Sequence, residues 1–176
     1  MTDLLVFAHP DEAQAFQDVP HVVTGFGKVN GTFGLTKAIL EIKPDRVFVL
    51  GTAGSLRDGL GTKVYQAKTA FQHDAPFSAG EHHAIGTEQF GEFVTIATGD
   101  TFVADPVKKA HCLELGADLV DMETAIYLQI GAALNTPVYV LKTPSDDADE
   151  GADKLWDIVV MECSQRLRAF YDATLA

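Results

Sequence analysis

The chain has 176 residues, 47% of them hydrophobic, which is enough for one domain with a sizeable core and excludes a disordered chain. Its 13 basic against 25 acidic residues give a formal net charge of −12, which repels phosphate backbones and argues against nucleic acid as the main partner. Cys112 and Cys163 stand in no metal-like or redox spacing and fit a reducing cytoplasm. The opening MTDLLVFAHPDE does not read as a signal peptide, and no apolar run is long enough to span a bilayer.

Residues 4–8 read as a first strand. Pro10, Asp11 and Glu12 then look like a helix start, with proline in the first turn and acids complementing the dipole, and the helix is expected to reach about residue 17. Residues 21–24 read as a short strand. Beyond Gly25, Gly27 and Gly31, the apolar spacing of residues 32–42 is helical until Pro44-Asp45 breaks it. RVFVL at 46–50 is a central strand, and GTAG at 51–54 reads as a glycine turn that lets backbone approach a ligand. Residues 64–70 and 93–97 look like strands, and 72–91 reads mainly as loop with room for one short strand. Residues 105–115 are helical, 119–120 a strand end, 123–134 a helix and 138–141 the last core strand. Residues 154–175 form an amphipathic helix with Leu155, Ile158, Val159, Cys163, Leu167 and Phe170 near one stripe. Alternating strands and helices make the class α/β in three layers.

The last core strand runs into LKTPSDDADE, which puts Ser145-Asp146 at a sheet's carboxyl edge, where open α/β sheets bind ligands. Cleaving an N-glycosidic bond needs one acid facing the leaving base and a second carboxylate holding a water on the sugar's opposite face. Asp146 fits the first role and Glu12 the second. Read alone, Asp146, Asp147, Asp149 and Glu150 equally describe a solvated helix start. Glu123, in ADLVDMETAIYL, either accepts hydroxyl hydrogen bonds from a ribose or is an N-terminal helix acid beside Asp121 as cap, and local pattern leaves both open. Phe102, after a Gly-Asp turn, either stacks on a purine or is a core residue. Neither GTAG nor GFGKVNG at 25–31 has a phosphate-loop spacing. VFAHPDE at 6–12 looks like the AHPDDE signature of zinc deacetylases, but Glu12 stands where the second Asp belongs, and no third ligand can be named.

Taken in order, these segments resemble the purine nucleosidases and nucleoside phosphorylases. HPDEAQAF, VVTGFGKVNGT, PDRVFVLGTAGSL, ATGDTFV, VDMET and TPSDDAD are similar to successive motifs of that family, nearest to its 5′-methylthioadenosine/S-adenosylhomocysteine nucleosidases. The resemblance implies an α/β three-layer sandwich with a mixed central sheet, nucleoside phosphorylase-like over residues 1–176. It implies that Asp146 protonates the purine with Ser145 in support, and that Glu12 positions the water. Met122 and Glu123 would hold the ribose, Phe102 and Val103 would contact the base, and Thr52 would belong to the substrate site. It implies no metal or organic cofactor, and a homodimer.

Three departures stand out. The chain is shorter than typical members, mainly in its middle. Lys142 stands where an Arg usually helps to hold the water. His9 and Pro10 fall near the segment that lines the sugar's 5′ end, where a polar His suggests a different 5′ group such as a plain hydroxyl. Phosphorylases of this family bind phosphate with arginines, and of Arg46, Arg57, Arg166 and Arg168 only Arg57 is placed to do so. Glu12 would repel phosphate and activate water, so hydrolysis is favoured over phosphorolysis. The rivals are a phosphate-dependent phosphorylase, the zinc deacetylase and a non-catalytic nucleoside sensor.

Overall fold

In the computed structural model, residues 1–75, 80–148 and 152–176 are described, without the side chains of residues 152–155 and 157. Part of the expected 72–91 loop, the acids Asp149 and Glu150, and the side chain of Leu155 therefore lie outside the described residues.

Among these residues all eight strands join one mixed sheet. The first strands are β1 (Asp3–Phe7), β2 (Val22–Val23) and β3 (Arg46–Ser55), and β1 lies parallel to both others. Then come β4 (Tyr65–Gln72), β5 (His82–His83), β6 (Glu92–Thr98), β7 (Leu119–Asp121) and β8 (Val138–Asp146). β3 runs parallel to β8 along most of its length and turns onto β7, antiparallel, at Gly54 and Ser55. β7 pairs with β6, β6 with β4, and β4 with β8, so five strands close on themselves. The carboxyl ends of β3 and β8 open on one side of this curled sheet.

The described residues include four α-helices: α1 (Gly27–Ile42), α2 (Pro106–Glu114), α3 (Thr124–Ala133) and α4 (Ala152–Thr174). α1 and α3 pack together on one face, over a core that includes Leu35, Ile39, Val49, Ile96, Tyr127 and Val140. α4 covers the other face, where Phe7, Phe16, Phe48, Leu141 and Leu167 are buried. Each such large apolar side chain contributes about 1.5–3 kcal/mol on burial. Asp105 caps α2 by accepting from the Lys108 amide at 2.9 Å, and Pro106 follows it where the missing N–H costs nothing.

Several boundaries differ from expectation. The helix over residues 10–17 does not form: Ala13 and Phe16 donate to the carbonyls of Pro10 and Ala13, a tight turn with only Gln14–Phe16 as 3-10 helix. Ser164 of α4 takes over its backbone groups, donating to the Glu12 carbonyl at 2.7 Å and accepting from the Ala15 amide at 3.0 Å. The helix expected from residue 32 begins at Gly27, despite three early glycines that lower its intrinsic propensity. On α4, Ile158 is 73% exposed, and the buried line is Val160, Cys163, Ser164 and Leu167. GTAG is not a turn at all: β3 continues through it.

Candidate active site

Glu12 comes from the tight turn after β1 and is buried. Its Oε1 accepts from the Thr52 amide at 2.7 Å and the Thr52 hydroxyl at 2.8 Å, and its Oε2 accepts from the His9 amide at 3.1 Å. Glycine at residue 51 eases this approach to β3: a Cβ there would lie 3.0 Å from both Glu12 Oε1 and Lys142 Nζ, close enough that both would have to shift. The glycines of GTAG therefore make room for charged side chains lying across a continuing strand.

Lys142, on β8, is fully buried, with Nζ 3.0 Å from Asp121 Oδ2. Burial alone would lower its pKa, but Asp121, Glu12 and Glu123 outweigh that and raise it, so the ammonium stays charged. Asp121 ends β7 and also accepts from the Thr98 hydroxyl at 2.7 Å and from the Thr124 amide at the start of α3. Glu123 follows, and its Oε1 accepts from the Gly27 amide at 2.7 Å. Desolvation pushes its pKa up to about 8, helped by the Asp121 and Glu12 carboxylates and opposed by Lys142 and the Gly27 amide.

Asp146 sits at the last position of β8. A register shift between Ala53 and Gly54 brings it opposite Gly54, where a Cβ would lie 3.0 Å from Asp146 Oδ1. Ser145 donates to Asp146 Oδ2 at 2.6 Å, and the Ala148 amide donates to Oδ1 at 2.9 Å. The acid thus belongs to the strand end, with two sequence neighbours among its partners.

These groups surround one cavity of about 370 Å³. Of the residues singled out from sequence, Glu12, Thr52, Phe102, Val103, Met122, Glu123, Ser145 and Asp146 line it; Lys142 does not, and meets the site through its ion pair with Asp121. Asp121, Phe26 and Trp156 also line it, and the sequence does not mark them as substrate contacts. Local pattern shows Asp121 only as a helix cap. Trp156 is brought in by α4 and donates from Nε1 to Thr52 Oγ1 at 2.9 Å, and the Thr52 hydroxyl donates onward to Glu12. Nothing in the local pattern marks such a long-range contact. His9 is not a free polar group at the wall. Its ring stacks on Phe26 at 4.4 Å and meets the edge of Trp156 at 5.4 Å, while Nδ1 accepts from the Asp11 amide at 3.3 Å.

The four arginines are engaged elsewhere. Arg46 pairs with Asp3 and Glu88, Arg57 with Asp118, Arg166 bonds Thr143 and the Pro144 carbonyl, and Arg168 pairs with Asp18 and Asp172. None lines the cavity. Among the described residues, no group of three His, Cys, Asp or Glu side chains could hold a metal ion. In the HPDE segment, Glu12 bonds to Thr52, away from His9 Nδ1 and Asp11, which face each other at 3.5 Å.

The sequence pattern of the phosphorylase superfamily matches residues 67–176. The 5′-methylthioadenosine/S-adenosylhomocysteine nucleosidase of Bacillus velezensis is 30% identical, over 76% of this chain and 70% of the relative. The aminodeoxyfutalosine nucleosidase of Campylobacter jejuni is 29% identical, over 79% of this chain and 72% of the relative. Among solved structures, the Helicobacter pylori 5′-methylthioadenosine/S-adenosylhomocysteine nucleosidase with butyl-thio-DADMe-Immucillin-A superposes with a TM-score of 0.89 at 22% identity, covering 98% of this chain and 97% of that one, a likeness of fold. This chain belongs to the phosphorylase superfamily and, within it, to the nucleosidases, glycosyl hydrolases that act on nucleosides.

Proposed function

We propose that the protein hydrolyses the N-glycosidic bond of an adenine nucleoside of the methylthioadenosine or S-adenosylhomocysteine type, releasing free base and the ribose derivative. One observation carries the reading: Glu12, Glu123 and Asp146 line a single cavity whose described lining contains no arginine or lysine. Such a wall disfavours phosphate and suits water as the attacking group.

In this reading Asp146, at the half-buried strand end, gives its proton to the purine as the glycosidic bond breaks, and Ser145 fixes the carboxyl's orientation. Glu12 accepts a proton from water on the other face of the sugar, with Thr52 and the His9 amide holding the carboxylate in place. Glu123 accepts ribose hydroxyls beside Met122. Phe102 and Val103 take the base. Lys142 donates no bond into the cavity and acts through the floor's carboxylates. Phe26 and Trp156, with His9 behind them, form an aromatic wall, which supports an apolar 5′ substituent over the plain hydroxyl that a polar His9 suggests from sequence alone.

The assembly we propose is a homodimer. α1 exposes Val29, Phe33 and Leu40 in continuity with Phe26 of the cavity wall, an apolar face suited to a second copy. Two free, buried cysteines suit a cytoplasmic location. Sedimentation tests the first point: a monomer at micromolar concentration would remove it.

The deciding assay is base release from adenosine, inosine, methylthioadenosine and S-adenosylhomocysteine, with and without phosphate. Release from the thio-substituted nucleosides in phosphate-free buffer is expected. Release only with phosphate would overturn hydrolysis, and binding without release would make the protein a sensor.

A further inference from the structure

Outside the acid–base machinery lies a cluster of charges with no part in the reaction as derived above. Lys28, in the first turn of α1, reaches across to the end of β4 and to the loop after β6. Its Nζ lies 2.7 Å from Asp74 Oδ1, 3.2 Å from Gln72 Oε1 and 3.9 Å from Asp100 Oδ2. Its own amide donates to Asp100 Oδ1 at 2.7 Å. The triangle closes where the Asp100 amide donates to Asp74 Oδ2 at 2.8 Å. Three segments far apart in sequence meet at one ammonium.

What that ammonium holds is the start of the loop that ends in Phe102 and Val103. Thr101, Phe102 and Val103 all line the cavity. On the other side, the residue before Lys28 gives its amide to Glu123 Oε1. Two consecutive amides at the positive end of α1 thus fix two carboxylates, one on the sugar side of the cavity and one at the root of the base loop. The Lys28 side chain is only 18% exposed and that of Asp74 23%, so the pair is partly shielded from solvent. Burial acts to raise the Asp74 carboxyl, but the Lys28 ammonium and the Asp100 amide outweigh it and hold it low.

We propose that Lys28 is a positioning residue for the purine: with Asp74 and Asp100 it clamps the loop 99–103 to α1 and so sets where Phe102 and Val103 meet the base. It touches no substrate. Its loss frees the loop while leaving Glu12 and Asp146 in place, so it weakens binding of the base and spares the chemical step. Arginine restores the clamp in part, since it keeps the charge and can bridge both carboxylates.

This proposal rests on the nucleosidase reading, and the test separates the two. Wild-type protein, Lys28→Met and Lys28→Arg are compared for methylthioadenosine hydrolysis and, by calorimetry, for binding of free adenine. For Lys28→Met, KM and the adenine dissociation constant are expected to rise about tenfold while kcat changes less than about threefold, with Lys28→Arg recovering most of the loss. Should the Met variant fold poorly, Asp74→Asn weakens the same clamp from the segment after β4 and is expected to shift adenine binding in the same direction. Unchanged adenine binding in these variants would overturn the clamp, as would a fall in kcat at constant KM. Absence of turnover in the wild type would overturn the nucleosidase reading alone, because adenine binding still reports on the loop.

Discussion

The floor and the rim of the cavity are built differently. On the floor, Glu12, Thr52, Asp121, Glu123 and Lys142 are all at most 8% exposed, and each is held by partners from distant parts of the chain. On the rim, Asp146 has two sequence neighbours, Ser145 and Ala148, among its partners, and Phe102 and Phe26 are exposed. A buried charge needs partners on every side, so the floor is a mutually dependent set whose disturbance costs folding energy. On the rim, Phe26 and Phe102 are partly in solvent and carry no buried charge. In the proposed reaction this division would hold water and ribose on the floor, while the purine enters attached to the ribose and leaves from the rim as free base.

The strongest way to break this contrast is to remove one acid from each region. Asp146→Asn and Glu12→Gln are each expected to lower kcat by about 10²–10⁴-fold, the usual worth of a general acid or base. Their stabilities should diverge. In Asp146→Asn the new amide oxygen can still accept from the Ala148 amide, so melting should shift little and ligand affinity should persist. In Glu12→Gln an amide donor turns toward either Thr52 or the His9 amide, at a cost of about 1–3 kcal/mol. Equal losses of stability would show that floor and rim are not distinct, and full activity in Asp146→Asn would dismiss it as the acid.

Lys142→Met tests the floor's mutual dependence. It leaves Asp121, Glu12 and Glu123 around a neutral side chain, and breaking such a buried pair costs about 3–5 kcal/mol. Denaturant titration should show that loss at neutral pH and a smaller one in acid, where the carboxylates protonate. Stability equal to wild type would mean that the ammonium is not what holds the floor together.

Glu123 sharpens the point with pH. Its folded pKa is raised from 4.5 to about 8, so between those values the native state binds more protons than the unfolded chain. Its contribution to stability is therefore full below about pH 4.5 and declines as pH rises toward 8. Glu123→Gln can keep the bond to the Gly27 amide and cannot ionise. The variant should lose this decline and exceed wild type in stability above about pH 8, while KM rises. A parallel pH–stability curve for the two proteins would refute the shift.

Much of this was legible in the sequence, for reasons that differ by residue. Strand cores such as RVFVL and the helix after Asp105 declare themselves through apolar runs and caps. Asp146, Glu12 and Glu123 stand out as carboxylates beside strand ends, and the order of motifs implies roles for them. The boundaries are harder. β3 and β8 run on through GTAG and TPSD because strand pairing overrides the turn tendency of Gly and Pro. The helix at residues 10–17 yields to Ser164, 152 residues beyond Glu12, and Trp156 reaches Thr52 across 104 residues. Contacts of that range leave no periodic trace. His9 misleads for a related reason: its letter is polar, but its ring is used as a flat aromatic surface.

Trp156 links the two regions, and the smallest predicted effect tests that link. Its indole N–H donates to the Thr52 hydroxyl, which must then turn its own proton toward Glu12. Trp156→Phe keeps a ring against Phe26 and His9 but removes this donor. A neutral hydrogen bond of this kind is worth about 1 kcal/mol, so a roughly fivefold fall in kcat with little change in KM is expected. Trp156→Ala also removes the wall and should raise KM, most for substrates with the longest 5′ substituent. If the Phe variant matches wild type while the Ala variant does not, Trp156 serves only as a surface, and the water-holding floor orients itself without help from the rim.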